Sequence, residues 1–320
     1  LMIPDTRMGW IPFAFFKGYK LAQEKSFDLI LTNSPPHSTH TVGFLLSKIT
    51  RLPWVVDFKD GWMEDPFRKK RNFSREWIEK KLEYLVVSNC HHIVTVSYPL
   101  KRYFKSISKK DVSLIHNGFD EEDFVDTHKV KSDGFTIGYF GSIFGDRDPT
   151  HFLKALEKFA KKNKLLRIKI HFIGPIIEEI LNSFKDFTIF EINTVKYISH
   201  SECIKLMQSC DALLTLVGQD NRNNAVLTGK IFEYLRCGIP IISLCPLNGA
   251  LWKLLENFDR IHKSSPTVIE EIENAIHNAW IDHRNPYSHT RNKYLKSFER
   301  NHLTELLAKT MDGMHAGDEM

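Results

Sequence analysis

The sequence predicts an α/β protein of two facing Rossmann-like domains, and three observations predict it. Apolar strand-like runs alternate with amphipathic helical runs, the pattern of parallel sheets with right-handed crossovers. The series stops at a polar stretch without core periodicity, FDEEDFVDTHKVKSD, and then begins again. At 320 residues the chain exceeds what one core usually organises, about 250 to 300 residues. The pattern repeats without a repeat of sequence, so two similar domains are expected rather than a solenoid. The expected division is 1–120 for the first domain, 121–133 for a linker, 134–284 for the second domain and 285–312 for a C-terminal helix.

The elements follow in order. Residues 9–25 carry five aromatics and then four charges. That suits a helix packed on a core or lying at a membrane interface, and the core is the preferred reading. DLILTN (28–33) is a buried strand. SPPHSTHTVGFLLSKIT then turns from a loop into a helix, with Val42, Leu45, Leu46 and Ile49 on its apolar stripe. WVVDFKD, a helix over 74–88, the strand HIVTVS, a short helix from Pro99 and the strand VSLIHNG complete the first series. Leu1 already stands inside structured sequence, so an N-terminal piece of the first domain is expected to be missing.

After the linker come strand FTIGYF, loop GSIFGDRDP, a helix over 150–163, strand RIKIHFIG, a helix over 175–185, strand FTIFEI, a helix over 200–210 and strand ALLTLV. The stretch RNNAVLTGKIFEYLRCGIPIIS reads as a polar loop, a two-turn helix from Lys230 to Cys237, and a buried strand opened by Pro240. Gly238 supplies the left-handed C-cap, and proline cannot continue the helix. A basic amphipathic helix over 287–311 closes the pattern, its apolar side formed by Leu295, Phe298, Leu303, Leu306 and Leu307.

Composition narrows the function. An apolar share of 42% and a charged share of 26% are those of a soluble globular protein. The formal charge of +5 suits an anionic ligand or an acidic membrane surface and is too dispersed to argue for nucleic acid. Five cysteines in apolar contexts without CxxC spacing read as core residues of a cytoplasmic protein. No apolar run approaches the ~18 residues of a membrane span, and no signal peptide is expected. The basic run Arg68-Lys69-Lys70-Arg71 reads as a solvated loop, with peripheral contact to an inner membrane face as its alternative.

Candidate chemistry sits where strands end. At the entry to the 230–237 helix, first-turn amides point outward and the helix dipole favours an anion, while Lys230 adds a full charge. Glu233, one turn in, can accept from a sugar's hydroxyls, so phosphate near Lys230 and a diol near Glu233 describe a nucleotide. The loop Gly141–Asp148 can bring its backbone to a diphosphate, with Arg147 gripping oxygens bidentately. It is not GxGxxG and lacks the acid of a nicotinamide site. Asp146 and Asp148 match a DxD metal pattern, but Asp148 reads as a helix N-cap and no metal is expected. Cys90, His91 and His92 are not read as ligands either. In the first domain His37, Asp57, Asp60 and Asn117 fall at strand ends. His37 can donate to a phosphate or hydroxyl or shuttle a proton, with helix capping as the bland alternative. Asp57 and Asp60 can position or deprotonate a hydroxyl. GxSxG, P-loop and HExxH motifs are absent from the sequence.

SPPHSTHTVGFLLSK, LPWVVDFKDGW, LIHNGFDEEDF, GYFGSIFGDRDP and TGKIFEYLRCGIPII together resemble, in order and spacing, the GT-B glycosyltransferases of the family 4 type. The resemblance covers nearly the whole chain. It implies a nucleotide-diphospho-sugar held by the second domain, a glycan or lipid-linked acceptor, no metal or other cofactor, and a C-terminal helix that returns to the first domain. Family members begin with a strand and a Gly-rich loop that nothing here matches. Glu233 resembles the second glutamate of the family's paired motif, which holds the ribose; the first would stand at Ala225. Gly141 and Ser142 occupy the phosphate-loop position, Tyr197 and Ile198 the base-reading position, and Thr228 and Gly229 the donor-site turn. His37 resembles the histidine that reaches toward the donor, and Asp57, Trp62 and Asn117 fall on the acceptor side. The implied reaction retains anomeric configuration, with His37, Asp60, Arg147 and Lys230 around the reacting groups, and serves surface polysaccharide assembly. A sugar-nucleotide epimerase of the same fold and a non-catalytic binding subunit remain alternatives, the latter because of Ala225 and Ser142.

Overall fold

A computed structural model describes residues 2–68, 71–124, 134–285 and 293–315. The chain divides into two compact units, one comprising residues up to Asn117 with those from Leu303 onward, the other Gly118–His302. Residues 125–133 of the expected linker, Lys69 and Lys70 of the basic run, and 287–292 of the expected last helix lie outside the described residues.

The first unit runs α1 (Ile11–Glu24), β1 (Ile30–Ser34), α2 (Ser38–Thr50), β2 (Trp54–Phe58), α3 (Phe73–Asn89), β3 (His92–Thr95), α4 (Tyr98–Ser108) and β4 (Val112–Leu114). Its strands form a parallel sheet in the order β1-β2-β3-β4. Successive strands with helical crossovers place α2 and α4 against the sheet, α3 between them and α1 on α2. The helix boundaries are chemically marked. Asn72 accepts from the Arg75 amide at the start of α3, and Pro12 and Pro99 stand in the first turns of α1 and α4.

The second unit runs β5 (Phe135–Phe140), α5 (Thr150–Lys162), β6 (Ile168–Ile173), α6 (Glu178–Ser183), β7 (Glu191–Val195), α7 (His200–Ser209), β8 (Ala212–Leu216), α8 (Lys230–Cys237) and β9 (Ile241–Leu244). It continues through α9 (Ala250–Leu255), β10 (Ile261–Ser264), α10 (Ile269–Asp282) and α11 (Lys293–Lys296). Its six parallel strands are ordered β10-β9-β8-β5-β6-β7, so the chain winds outward from β5 to β7 and then returns to build β8 to β10 on the other side. The switch point therefore falls between β5 and β8. Apolar clusters cover both sheet faces, one built with α5 and α10, the other with α7, α8 and α9. The last helix, α12 (Arg300–His315), carries Leu303 and Leu307 onto Val55, Val94 and Ile115 of the first unit.

Several expectations need correction. No residue of α1 is fully buried: its half-buried side packs on α2 while Phe13 and Phe16 are exposed, so the preferred core reading of residues 9–25 holds for the inner side alone. The buried side of α2 is Ser38, His40, Val42 and Gly43, while Leu45 and Ile49 are exposed. Indole and hydroxyl explain this choice: Trp54 Nε1 donates to Thr32 Oγ1, which in turn bonds His40 Nδ1, both at 2.8 Å, and the paired polar groups can be buried. The strand expected at FTIFEI begins later, at Glu191, after a short helical turn over Phe184–Asp186. The last helix is interrupted into α11 and α12, and Leu306 on its expected apolar side is exposed. The α9, β10 and α10 elements went unread. The Lys230–Cys237 helix and the left-handed Gly238, at φ 69°, are as expected.

Candidate functional site

In the second unit, candidate residues gather beyond the carboxyl ends of β5, β6 and β8, at the switch point where open α/β sheets bind ligands. Three glycines make the approach close. Gly141 follows β5 and donates its amide to Ile173 O at 2.9 Å. Gly174 follows β6 with φ 139°, and a Cβ there would stand 2.2 Å from Gly141 O. At Gly218, beyond β8, a Cβ would meet the Asp146 carboxylate at 2.0 Å. Asp146 Oδ2 also accepts from Asn223 Nδ2 at 2.5 Å, which folds the loop after β5 over the end of β8.

Underneath, Tyr139 Oη donates to Ser142 O at 3.0 Å, fixing the Gly141–Ser142 turn. Burial pushes this phenol up to about 12, against the pull of the Arg147 charge. Arg147 lays its guanidinium over the Phe144 ring, 5.4 Å from the centroid. Asp148 accepts from the Thr150 amide at 2.8 Å, so its carboxylate serves the helix start, although the cap position itself is Pro149. The two acids of the DxD pattern thus have separate structural partners.

The α8 helix brings the other donor-side groups. Lys230 Nζ lies 2.7 Å from Glu233 Oε2, and His200 Nε2 lies 3.3 Å from Glu233 Oε1. The opposite ring nitrogen of His200 is 3.5 Å from Asp123 Oδ2. Glu233 is buried, and both its oxygens are engaged. Beside it Tyr234 points the other way, its hydroxyl accepting from the Phe140 amide at 2.8 Å, so α8 is keyed to the last residue of β5. Two first-turn amides expected to face outward are already used, Ile231 and Phe232 donating to Thr228 O and Gly229 O at 3.2 and 3.4 Å. Tyr197 is exposed and Ile198 packs on the core. Ala225 ends a short 3-10 turn.

Sequence reasoning missed His200 and Asp123. The signal for His200 was available: Ser199 and Glu202 form a capping box, which fixes His200 as the first residue of α7. Arg236, forked onto Glu121 at 2.6 and 2.7 Å, was missed as well; it ties the end of α8 to the segment leading from the first unit.

In the first unit, His37 opens α2 without capping it. The Ser38 amide donates instead to Asp5 Oδ2 at 2.7 Å, which removes the capping explanation. The imidazole stacks on the buried Trp62, centroids 4.7 Å apart and planes 5° from parallel. Burial lowers its pKa to about 4, so His37 is neutral at physiological pH. Asp57 is buried between Asn33 Nδ2 and Lys59 Nζ, each 2.9 Å away, a poor setting for a base. Asp60 is exposed, and Asn117 is half-buried after β4. Ser34 Oγ, His37 Nδ1, His40 Nε2, Asp57 Oδ1 and Ser97 Oγ are buried with no hydrogen-bond partner among the described residues. They lie on and just beyond β1, β2 and β3, which makes these strand ends a polar site of their own.

Cys90, His91 and His92 do not converge: His91 Nδ1 accepts from the Trp54 amide and His92 Nε2 bonds Ser113 Oγ. Among the described residues no three His, Cys, Asp or Glu side chains form a metal-binding group.

Residues 2–123 match the family model described as Glycosyltransferase Family 4. Among solved structures, the sucrose-phosphate synthase of Thermosynechococcus elongatus aligns with TM-score 0.72 at 14% identity, covering 99% of this chain and 81% of that one. The chain has the GT-B fold. A glycosyltransferase from Rickettsia africae ESF-5 shares that fold, with TM-score 0.70, 13% identity and coverages of 98% and 83%. So does TarM from S. aureus, solved with UDP, at TM-score 0.61 and 10% identity, covering 94% of this chain and 58% of TarM. No curated protein matches the sequence. Within the GT-B fold the family match falls on the first unit, and the switch-point site lies in the second.

Proposed function

We propose that this protein transfers a sugar from a nucleotide-diphospho-sugar to a hydroxyl of a glycan or lipid-linked acceptor, with retention, in surface polysaccharide assembly on the inner face of a membrane. The observation that carries the reading is the Lys230–Glu233 pair at the α8 entry, set beside the close-packed Gly141, Gly174 and Gly218 ends. Backbone at glycines can approach a diphosphate, a lysine can neutralise it, and a buried glutamate can hold a ribose diol. TarM, of the same fold, was solved with UDP.

In this reading Glu233 holds the ribose, Tyr197 and Ile198 flank the base, and Ser142, Thr228 and Gly229 line the phosphates. The acceptor oxygen forms its bond to the anomeric carbon as the bond to the diphosphate breaks, and its proton passes to the departing phosphate oxygen. Lys230 and Arg147 stabilise the charge that grows there, which is worth most where water is excluded. On the acceptor side, neutral His37 offers a hydrogen bond from its stacked position on Trp62, while Asp60 and Asn117 orient the hydroxyl. Asp57 fixes Lys59 and Asn33.

Calorimetry with UDP and GDP, a thermal-shift panel of nucleotide sugars, and mass spectrometry of products on membrane lipid extracts test the reading. Nucleotide binding with sugar transfer supports it. Consumption of donor without acceptor points to the epimerase, and donor binding without transfer or hydrolysis to a binding subunit.

A further inference from the structure

We infer that the outer side of the α1–α4 helix layer is a docking face for an anionic lipid bilayer. These four helices lie side by side, α1 on α2, α2 on α3 and α3 on α4, with α2 and α4 seated on the sheet. What they expose therefore points away from the sheet. Large aromatic groups dominate it: Phe13 and Phe16 on α1 are 78% and 67% exposed, and Phe73 and Trp77 on α3 are 85% and 56% exposed. Tyr84 and Leu85 continue the α3 stripe, Leu45 and Ile49 stand on α2, and Tyr98 on α4. An apolar surface spread over four neighbouring helices is more than scattered exposure, and calls for an occupant.

The charges select that occupant. Lys17 and Lys20 on α1, Lys48 on α2, Lys80 and Lys81 on α3, and Arg102 and Lys105 on α4 are exposed, against two acids on the outer side of these helices, Glu24 at 3.7 Å from Lys20 and the half-exposed Glu76 at 3.6 Å from Lys80, so the cations outnumber them. The other two acids of α3, Glu79 and Glu83, are buried. Cations and aromatics are also interleaved: Lys81 over Trp77 at 5.7 Å, Lys48 over Phe44 at 5.6 Å and Arg102 over Tyr98 at 5.3 Å. Basic groups among exposed Phe, Trp and Tyr match the headgroup region of an anionic membrane, where aromatic rings sit at the interface and lysines meet lipid phosphates. No helix among the described residues is long and apolar enough to cross a membrane, so the contact is one of surface docking. It serves a lipid-linked acceptor, but does not depend on the transferase reading, because vesicle binding is measured without donor.

The test is co-sedimentation of the whole chain with phosphatidylcholine vesicles and with vesicles mixing in phosphatidylglycerol. Binding to the mixed vesicles alone is expected, weakened about fivefold for each charge removed by Lys80→Gln and Lys81→Gln, weakened further by salt, and largely lost when Phe13→Ser, Phe16→Ser and Trp77→Ser are combined. Thermal melts confirm that these surface variants fold. The inference is overturned by no binding to the mixed vesicles, by equal binding to phosphatidylcholine alone, or by variants that bind like the parent. Concentration-dependent self-association lost in the aromatic variant, without vesicle binding, also overturns it and assigns the face to a second copy.

Discussion

Lys230 Nζ lies 2.7 Å from Glu233 Oε2, one helical turn away, so the two groups assigned to a phosphate and a ribose neutralise each other. Glu233 is therefore buried as half of a pair, and losing either partner has consequences for the other. A charge-assisted hydrogen bond is worth ~1.5 to 3 kcal/mol, so Glu233→Ala should weaken nucleotide binding roughly 10- to 100-fold. In the Lys230→Ala background the same change should cost less than the separate losses predict, because each variant already breaks the pair. Calorimetry with UDP and GDP on the four proteins reads the cycle. Unchanged affinity in Glu233→Ala removes the glutamate from the donor site.

His200 gives Glu233 its second contact, at 3.3 Å, while being itself half-exposed and near Asp123. It positions the carboxylate rather than touching the sugar in this reading. His200→Ala should weaken nucleotide binding by about three- to tenfold, the scale of one net hydrogen bond. The effect should vanish in the Glu233→Ala background. A loss that persists there would mean that His200 contacts the nucleotide directly.

Much of this site was legible because its grammar is local. The α8 limits follow from Gly238 and Pro240, and the strand ends that hold Gly141, His37 and Asp57 follow from apolar runs that stop at polar residues. What stayed hidden depends on partners far away in sequence. Asp5 caps α2 from outside the loop that contains His37, and Asp57 accepts a hydrogen bond from Asn33 on the neighbouring strand. The exposed aromatics of α1 were misread because helical periodicity marks an apolar side without saying what covers it.

His37 and Glu83 should move stability with pH in opposite directions. Burial lowers the His37 pKa to about 4 from an ordinary 6.5, so the unfolded chain binds the extra proton between those values and stability falls as pH drops through that window. His37→Gln should flatten this limb, as read by denaturant unfolding of the two proteins between pH 4 and 6.5.

Glu83 runs the other way. Burial raises its carboxyl to about 7, outweighing the hydrogen bonds from Tyr103 and the Met63 amide, so the folded chain holds the proton longer. Its contribution is present at low pH and is lost as pH rises from about 4.5 to 7, on the order of 3 kcal/mol. Denaturant unfolding of Glu83→Gln across that range should show a smaller fall in stability than the parent. A parallel fall in both proteins would exclude Glu83 as its source.

Gly174 and Gly145 separate backbone strain from the geometry of the switch point. Both have positive φ, 139° and 61°, where a side chain is disfavoured. At Gly145 a Cβ meets nothing within 4 Å, so Gly145→Ala carries conformational strain alone, about 1 kcal/mol. At Gly174 a Cβ would stand 2.2 Å from Gly141 O and 2.7 Å from Gly141 C, both backbone atoms that no rotamer change can move aside. Gly174→Ala must therefore push apart the ends of β5 and β6, and should cost more than about 2 kcal/mol, or several degrees of melting temperature for a unit of this size. The displaced Gly141–Ser142 turn is the one assigned to the diphosphate. Nucleotide affinity should consequently fall in Gly174→Ala at temperatures where the variant is still folded, and stay near the parent's in Gly145→Ala. Equal affinities in the two folded variants would show that the turn after β5 does not hold the phosphates.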